Sequence, residues 1–94
     1  MSDNGGWSEN EVHRRVERIV GDVLGYDALA LKAETTAAEV DGWDSLANVQ
    51  IFVALEKAFA IRFRVGEMTS VENVGALVRR IAARLDGATV RPGT

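Results

Sequence analysis

The chain has no cysteine, which excludes disulfides, thiolate nucleophiles and cysteine-built metal sites together. It has one proline, Pro92, and its aromatic content is 6%. With plentiful Ala, Leu, Val, Glu and Arg and few β-branched runs, helix is favoured over sheet. No apolar run approaches the length of a bilayer span, and the polar opening Met1-Ser2-Asp3-Asn4-Gly5-Gly6 does not resemble a secretory signal. A soluble cytoplasmic protein without a membrane partner is expected. An excess of basic charge is also lacking. The net charge of −3 argues against nucleic acid as a partner and suits partners that carry basic patches.

What remains is 94 residues, 47% hydrophobic and 27% charged, a globular balance with room for one domain. Residues 1–7 are expected to be a flexible tail, 8–86 the folded domain, and 87–94 a second tail containing Pro92-Gly93. Ser8-Glu9-Asn10-Glu11 has the spacing of a capping box, with Trp7 and Val12 placed as a hydrophobic staple over it. Val12, Val16, Ile19, Val20, Val23 and Leu24 then recur at helical spacing, and Gly25 is placed to end the helix. Residues 26–43 keep no period and read as a long loop that Leu29, Leu31, Val40 and Trp43 could pin to a core. Loops this long in small domains tend to be functional.

A second helix is expected from Asp44 or Ser45 to about Phe59. Ile61-Arg62-Phe63-Arg64-Val65 alternates as an extended connector does, and a short helical turn is expected around residues 66–68. A last helix is expected from Thr69 or Ser70, where Thr69-Ser70-Val71-Glu72 fits a second capping box, with Gly87 as its end. Val71, Val74, Leu77, Val78, Ile81 and Leu85 form its apolar stripe. Helices joined by short connections imply an all-α bundle.

The candidate site is Gly42-Trp43-Asp44-Ser45-Leu46. The plain reading of a serine at a helix start is capping. The functional reading is that a long loop delivers Ser45 to a helix mouth, where free N–H groups and the positive end of the dipole favour a phosphate ester. On a helical wheel Ile51, Phe52, Leu55, Ala58 and Phe59 share one face, the expected core. Leu46, Val49 and Val53 form a second apolar stripe. It either packs under the loop and the short helix, or serves as a partner contact or a doorway for a bound chain.

Gly42-Trp43-Asp44-Ser45-Leu46 resembles the G-x-D-S-L signature of acyl carrier proteins. Val49 to Phe59, with its closing Leu55-Glu56-Lys57-Ala58-Phe59, is similar to their second helix. The resemblance covers about residues 8–86. It implies a right-handed bundle of three longer helices and one short one. The short tails and the initiator Met1 favour a freestanding protein over a module of a synthase, and a monomer is expected. The resemblance further implies 4′-phosphopantetheine on Ser45, transferred from coenzyme A by a phosphopantetheinyl transferase with Mg²⁺. The arm's thiol would carry acyl groups as thioesters to acyl-loading and acyl-processing enzymes, and the carrier itself would be non-catalytic. The resemblance makes Asp44 a helix cap that helps the transferase place its metal, and Leu46 a plug for an apolar pocket on a partner. Trp43, Leu46, Val49, Gln50 and Val53 are the expected partner contacts.

The chain departs from the familiar fatty-acid carriers in its charge. Their second helix is strongly acidic, whereas here Ala47, Asn48 and Gln50 follow Leu46 and Glu56 is offset by Lys57. The acidic residues have moved into the loop, as Glu34, Glu39, Asp41 and Asp44, with no Lys or Arg among residues 33–44, while Arg62 and Arg64 follow the helix. This favours a specialised pathway such as polyketide or modified-lipid synthesis. Alternatives are a peptidyl or aminoacyl carrier, and an interaction protein that keeps the fold unmodified. A hydrolase built on Ser45 and His13 lacks a Gly-rich oxyanion loop and a sizeable pocket. His13, Arg14, Arg15 and Arg18, and likewise Arg79, Arg80 and Arg84, read as solvated polar faces.

Overall fold

The computed structural model describes the backbone of residues 7–90 and the side chains of residues 7–85. Residues 1–6 and 91–94, where most of the two expected tails fall, lie outside the described residues. Four helices form an all-α bundle: α1 Glu9–Leu24, α2 Ser45–Phe59, the short α3 Val65–Ser70 and α4 Val74–Val90, with a 3₁₀ turn at Ala37–Glu39 in the first connection. No strand occurs among the described residues.

Helix α1 starts as its sequence dictates. The Ser8 hydroxyl accepts from Glu11 N–H at 3.1 Å and the Glu11 carboxylate accepts from Ser8 N–H at 3.0 Å, the two halves of a capping box. Gly25 ends the helix at φ +86°. Trp7 belongs to the fold rather than to a tail, because its ring meets Phe59 edge-on at 5.1 Å and Arg15 lies over its other side. The apolar stripes of α1, α2 and α4 merge into one core. Val12, Val16, Val20, Ile51, Leu55 and Ile81 are its most enclosed members, and Leu31, Ile61 and Phe63 seal it from the connections. Ala58 lies outside that core on the exposed side of α2, and Ala47 takes a buried position one turn from the helix start.

The end of the chain differs from expectation at two points. The Thr69-Ser70-Val71-Glu72 box does not form, because α3 extends through Ser70 and α4 starts at Val74. The cap there is Asn73, whose side-chain oxygen accepts from Ala76 N–H at 2.8 Å. Glu67 competes for the preceding segment by capping α3 through Arg64 N–H at 2.8 Å. Helix α4 also runs through Gly87 to Val90, since a glycine lowers helix stability without forcing a stop.

The long connection is fastened by polar side chains. His13 Nε2 donates to the Leu31 carbonyl at 2.6 Å, while Glu17 accepts from Leu31 N–H at 2.7 Å. His13 is thus a partly buried clamp and not part of a solvated face. The Tyr26 hydroxyl donates to the Asp41 carbonyl at 2.8 Å. Further on, Glu56 accepts from Phe63 N–H at 2.8 Å and holds the 61–64 connector, in which Ile61 and Phe63 point inward and Arg62 and Arg64 outward. Arg80 and Arg84 are likewise engaged: both donate to Glu67, and Arg84 also reaches the Arg62 carbonyl and the face of Phe63. These contacts tie α3 and the connector to α4. Arg14, Arg15, Arg18 and Arg79 are exposed.

Candidate functional site

The approach to α2 is a tight turn. Trp43 N–H donates to the Val40 carbonyl at 3.1 Å and Asp44 N–H to the Gly42 carbonyl at 3.0 Å. Gly42 holds φ +92°, a conformation that strains any residue with a Cβ, so glycine is required by backbone geometry rather than by space. The turn places Asp44 at the N-cap with extended backbone, and its carboxylate accepts from Ala47 N–H at 2.8 Å.

That bond removes the capping reading of Ser45. The cap is Asp44, so capping does not use the serine. Ser45 is the first residue of α2 and is exposed. Its hydroxyl takes no hydrogen-bond partner among the described residues, nor do the N–H groups of Ser45 and Leu46. A hydroxyl in this position is open to attack on an external phosphorus, and the unpaired N–H groups with the helix dipole suit the phosphate that would result. The residues therefore fit a phosphodiester-linked arm.

Trp43 is half-buried against the core. Its indole N–H donates to Asn48 Oδ1 at 2.9 Å, and Asn48 Nδ2 in turn donates to the Met68 carbonyl at 3.0 Å. Asn48 therefore joins the turn before α2, α2 itself and α3. Sequence reasoning counted it only as a neutral residue in place of an acidic one. The available signal was an amide five positions after a tryptophan on the edge between two apolar stripes. Under this bridge lies a small void of about 30 Å³ between α2, α3 and α4, lined among others by Trp43, Asn48, Phe52, Met68 and Leu77.

Leu46, Val49 and Val53 do not pack under the loop or α3. They are 69%, 49% and 41% exposed, with Gln50 exposed beside them. The surface next to Ser45 is thus apolar along nearly two turns of α2.

Residues 14–81 match the family described as phosphopantetheine attachment site. The chain belongs to the phosphopantetheine-binding acyl carrier proteins. The acyl carrier protein of Clostridium acetobutylicum is 36% identical over 75 residues, which cover 80% of this chain and 97% of the relative. The solution structure of holo acyl carrier protein from Geobacter metallireducens superposes with a TM-score of 0.78 at 29% identity, covering 88% of this chain and 95% of that one. The chain is also 35% identical over 68 residues to the non-reducing polyketide synthase prhL of Penicillium brasilianum, but spans only 3% of its length. The bundle of three longer helices and one short one matches the fold that the resemblance implied.

Proposed function

We propose that Ser45 carries the 4′-phosphopantetheine arm and that the protein presents acyl thioesters on it to the enzymes of a specialised pathway, polyketide or modified-lipid synthesis. The observation that carries the assignment is the division of labour at the start of α2: Asp44 satisfies the helix end and leaves the exposed Ser45 hydroxyl unpartnered. When bound, the arm supplies a thiol that a chain without cysteine lacks, and its long tether raises the local concentration of cargo at successive active sites. Asp44 orients the helix mouth. Leu46, Val49, Gln50 and Val53, with the exposed part of Trp43, form the surface that partners cover. The void behind Trp43 has about the room of a single water, so a long acyl chain lies outside the bundle in this conformation.

The pathway reading is supported by a nearly neutral α2 and by likeness to carrier-length segments of non-reducing polyketide synthases. Intact mass after incubation with coenzyme A, Mg²⁺ and a broad-specificity phosphopantetheinyl transferase tests the site. Wild type should gain one phosphopantetheine group and Ser45→Ala none. Modification of Ser45→Ala, or a folded wild type that several transferases leave unchanged, would overturn the assignment. Loading the holo protein with malonyl against aminoacyl donors then separates polyketide from peptidyl cargo.

A further inference from the structure

We infer that Asn48 is a positioning residue for the modification of Ser45: its side chain couples α3 to the turn that carries the serine, so that the seating of α3 sets the aim of the Ser45 hydroxyl. The inference rests on the assignment of Ser45 as the attachment site. Asn48 is fastened to that turn twice. Its backbone N–H donates to the Asp44 carbonyl at 2.8 Å, and its Oδ1 accepts from the Trp43 indole N–H at 2.9 Å. Both residues that lead into the serine are thus held by Asn48. On its other side Nδ2 donates to the Met68 carbonyl at 3.0 Å. That carbonyl is among the last four of α3, which have no donor within their own helix. An indole N–H only donates and a carbonyl only accepts, so the two partners fix which end of the amide faces which. A carboxylate in this place would serve the indole alone, and an apolar side chain would serve neither.

The bridge matters because little else seats the parts that it joins. Helix α3 has six residues and none of them is buried; Met68 rests only against the edge of the core. Its polar ties are Glu67 to Arg80 and Arg84 of α4 on one side and Met68 to Asn48 of α2 on the other. Packing does not fix the indole either. Trp43 is half-buried, and it borders a void of about 30 Å³ shared with Phe52, Met68 and Leu77, where the ring lacks close contacts. If α3 shifts, Asn48 must follow Met68 or release it, and in both cases the indole loses its fixed acceptor.

The reaction at Ser45 is sensitive to such a change. In loading, the Ser45 oxygen bonds to a phosphorus of coenzyme A and the phosphoanhydride bond opposite breaks. The nucleotide leaves, and the hydroxyl gives its proton to a base on the enzyme. Such a displacement needs the attacking oxygen in line with the bond that breaks, and misplacement by about 1 Å costs about a hundredfold in rate. Asn48 touches neither reactant. It acts through Trp43 and the turn.

The test uses the full chain with coenzyme A, Mg²⁺ and a broad-specificity phosphopantetheinyl transferase, measuring kcat and KM for loading at a temperature where circular dichroism shows each variant folded. Asn48→Ala should lower kcat about tenfold with KM changed by less than about twofold, the pattern of lost alignment rather than lost binding. Asn48→Asp keeps the acceptor for the indole but not the donor for Met68, and should lose kcat about as much. Adding Trp43→Phe to Asn48→Ala should lower kcat by no more than about a further twofold, because both substitutions break one path. Glu67→Gln, which loosens α3 from α4, should shift the Trp43 indole N–H resonance in the wild-type background and leave it in place in Asn48→Ala; Trp7→Phe assigns the signal. Should Asn48→Ala fail to fold, Asn48→Asp carries the test. Wild-type kcat in Asn48→Asp would remove α3 from the path, and losses that multiply in the double variant would remove Trp43. Either result, or a defect confined to KM, overturns the inference and leaves the carrier assignment standing. If wild type itself is not loaded, the carrier assignment fails and the inference with it.

Discussion

Gly75 lies directly against Ala33: its amide N–H donates to the Ala33 carbonyl at 2.7 Å, and a Cβ added to Gly75 would stand 3.0 Å from the Ala33 methyl and 3.1 Å from that same carbonyl oxygen. The neighbouring Val74 N–H donates to the Thr35 carbonyl at 2.9 Å. Two free N–H groups of α4 are therefore met by loop carbonyls, and the loop that leads to the site is held against the last helix. Because one of the crowded atoms is backbone, it cannot rotate away. Gly75→Ala is expected to destabilise the fold by about 1 kcal/mol, the overpacking cost exceeding the gain in helix propensity. Gly75→Val should cost more. Urea unfolding midpoints at constant slope measure both, and a stabilised Gly75→Ala would show that the loop yields.

Ala60 closes α2 at φ +56° and ψ +46°, the left-handed conformation that glycine usually fills at a helix end. Its methyl is exposed, so replacing it removes no core contact. Ala60→Gly should stabilise the protein by about 0.5–1 kcal/mol, the relief of left-handed strain outweighing the greater freedom of glycine in the unfolded chain. Thermal melts with calorimetry would register it as a higher midpoint.

The parts of this molecule written as local patterns are those that sequence reading finds. Ser8 with Glu11, Gly25, Asp44 and the alternation of Ile61 to Arg64 each act within a few residues, and the structure places them as expected. What escapes is chemistry between distant positions. His13 reads as a solvated neighbour of Arg14 until Leu31, 18 residues away, brings a carbonyl to it. Arg80 and Arg84 read as a polar face until Glu67 arrives from α3. Thr69 to Glu72 has the letters of a capping box but loses to Asn73, whose side chain already serves the start of α4. At the candidate site, a serine at the start of α2 was expected from the signature, and the structure leaves it exposed. That Asn48 braces Trp43 required coordinates.

Glu67 should give the fold an acid-sensitive element. The hydrogen bond from Arg84, then that from Arg64 N–H, holds its carboxyl below the usual 4.5 against the opposing effect of burial. A carboxyl whose pKa is lower folded than unfolded contributes its stability in full above the unfolded value and loses it as pH falls through the folded one. Wild type should therefore exceed Glu67→Gln in stability at pH 7, and the gap should close as pH is taken below about 4. Urea midpoints of the two proteins across pH 7 to 3 would reveal this. A gap that persists at the acid end would assign the difference to packing.

Asp44 has a structural task as the cap of α2 and a loading task that follows from the proposed role of Ser45, and substitution separates them. Asp44→Ala removes the acceptor for Ala47 N–H and should cost about 1 kcal/mol. Asp44→Asn keeps an oxygen in that place, and asparagine caps helices about as well as aspartate, so its stability should match wild type within about 0.5 kcal/mol. Asparagine has no negative charge to offer a transferase or its Mg²⁺. If Asp44 only caps, Asp44→Asn should be loaded at the wild-type rate. If it also helps to place the metal and the Ser45 hydroxyl, loading should fall about tenfold or more at unchanged stability, with the loss in kcat rather than KM. Parallel unfolding curves and loading kinetics on the same preparations decide between them. We expect the second outcome, because Asp44 immediately precedes the free hydroxyl and is itself exposed at the helix mouth.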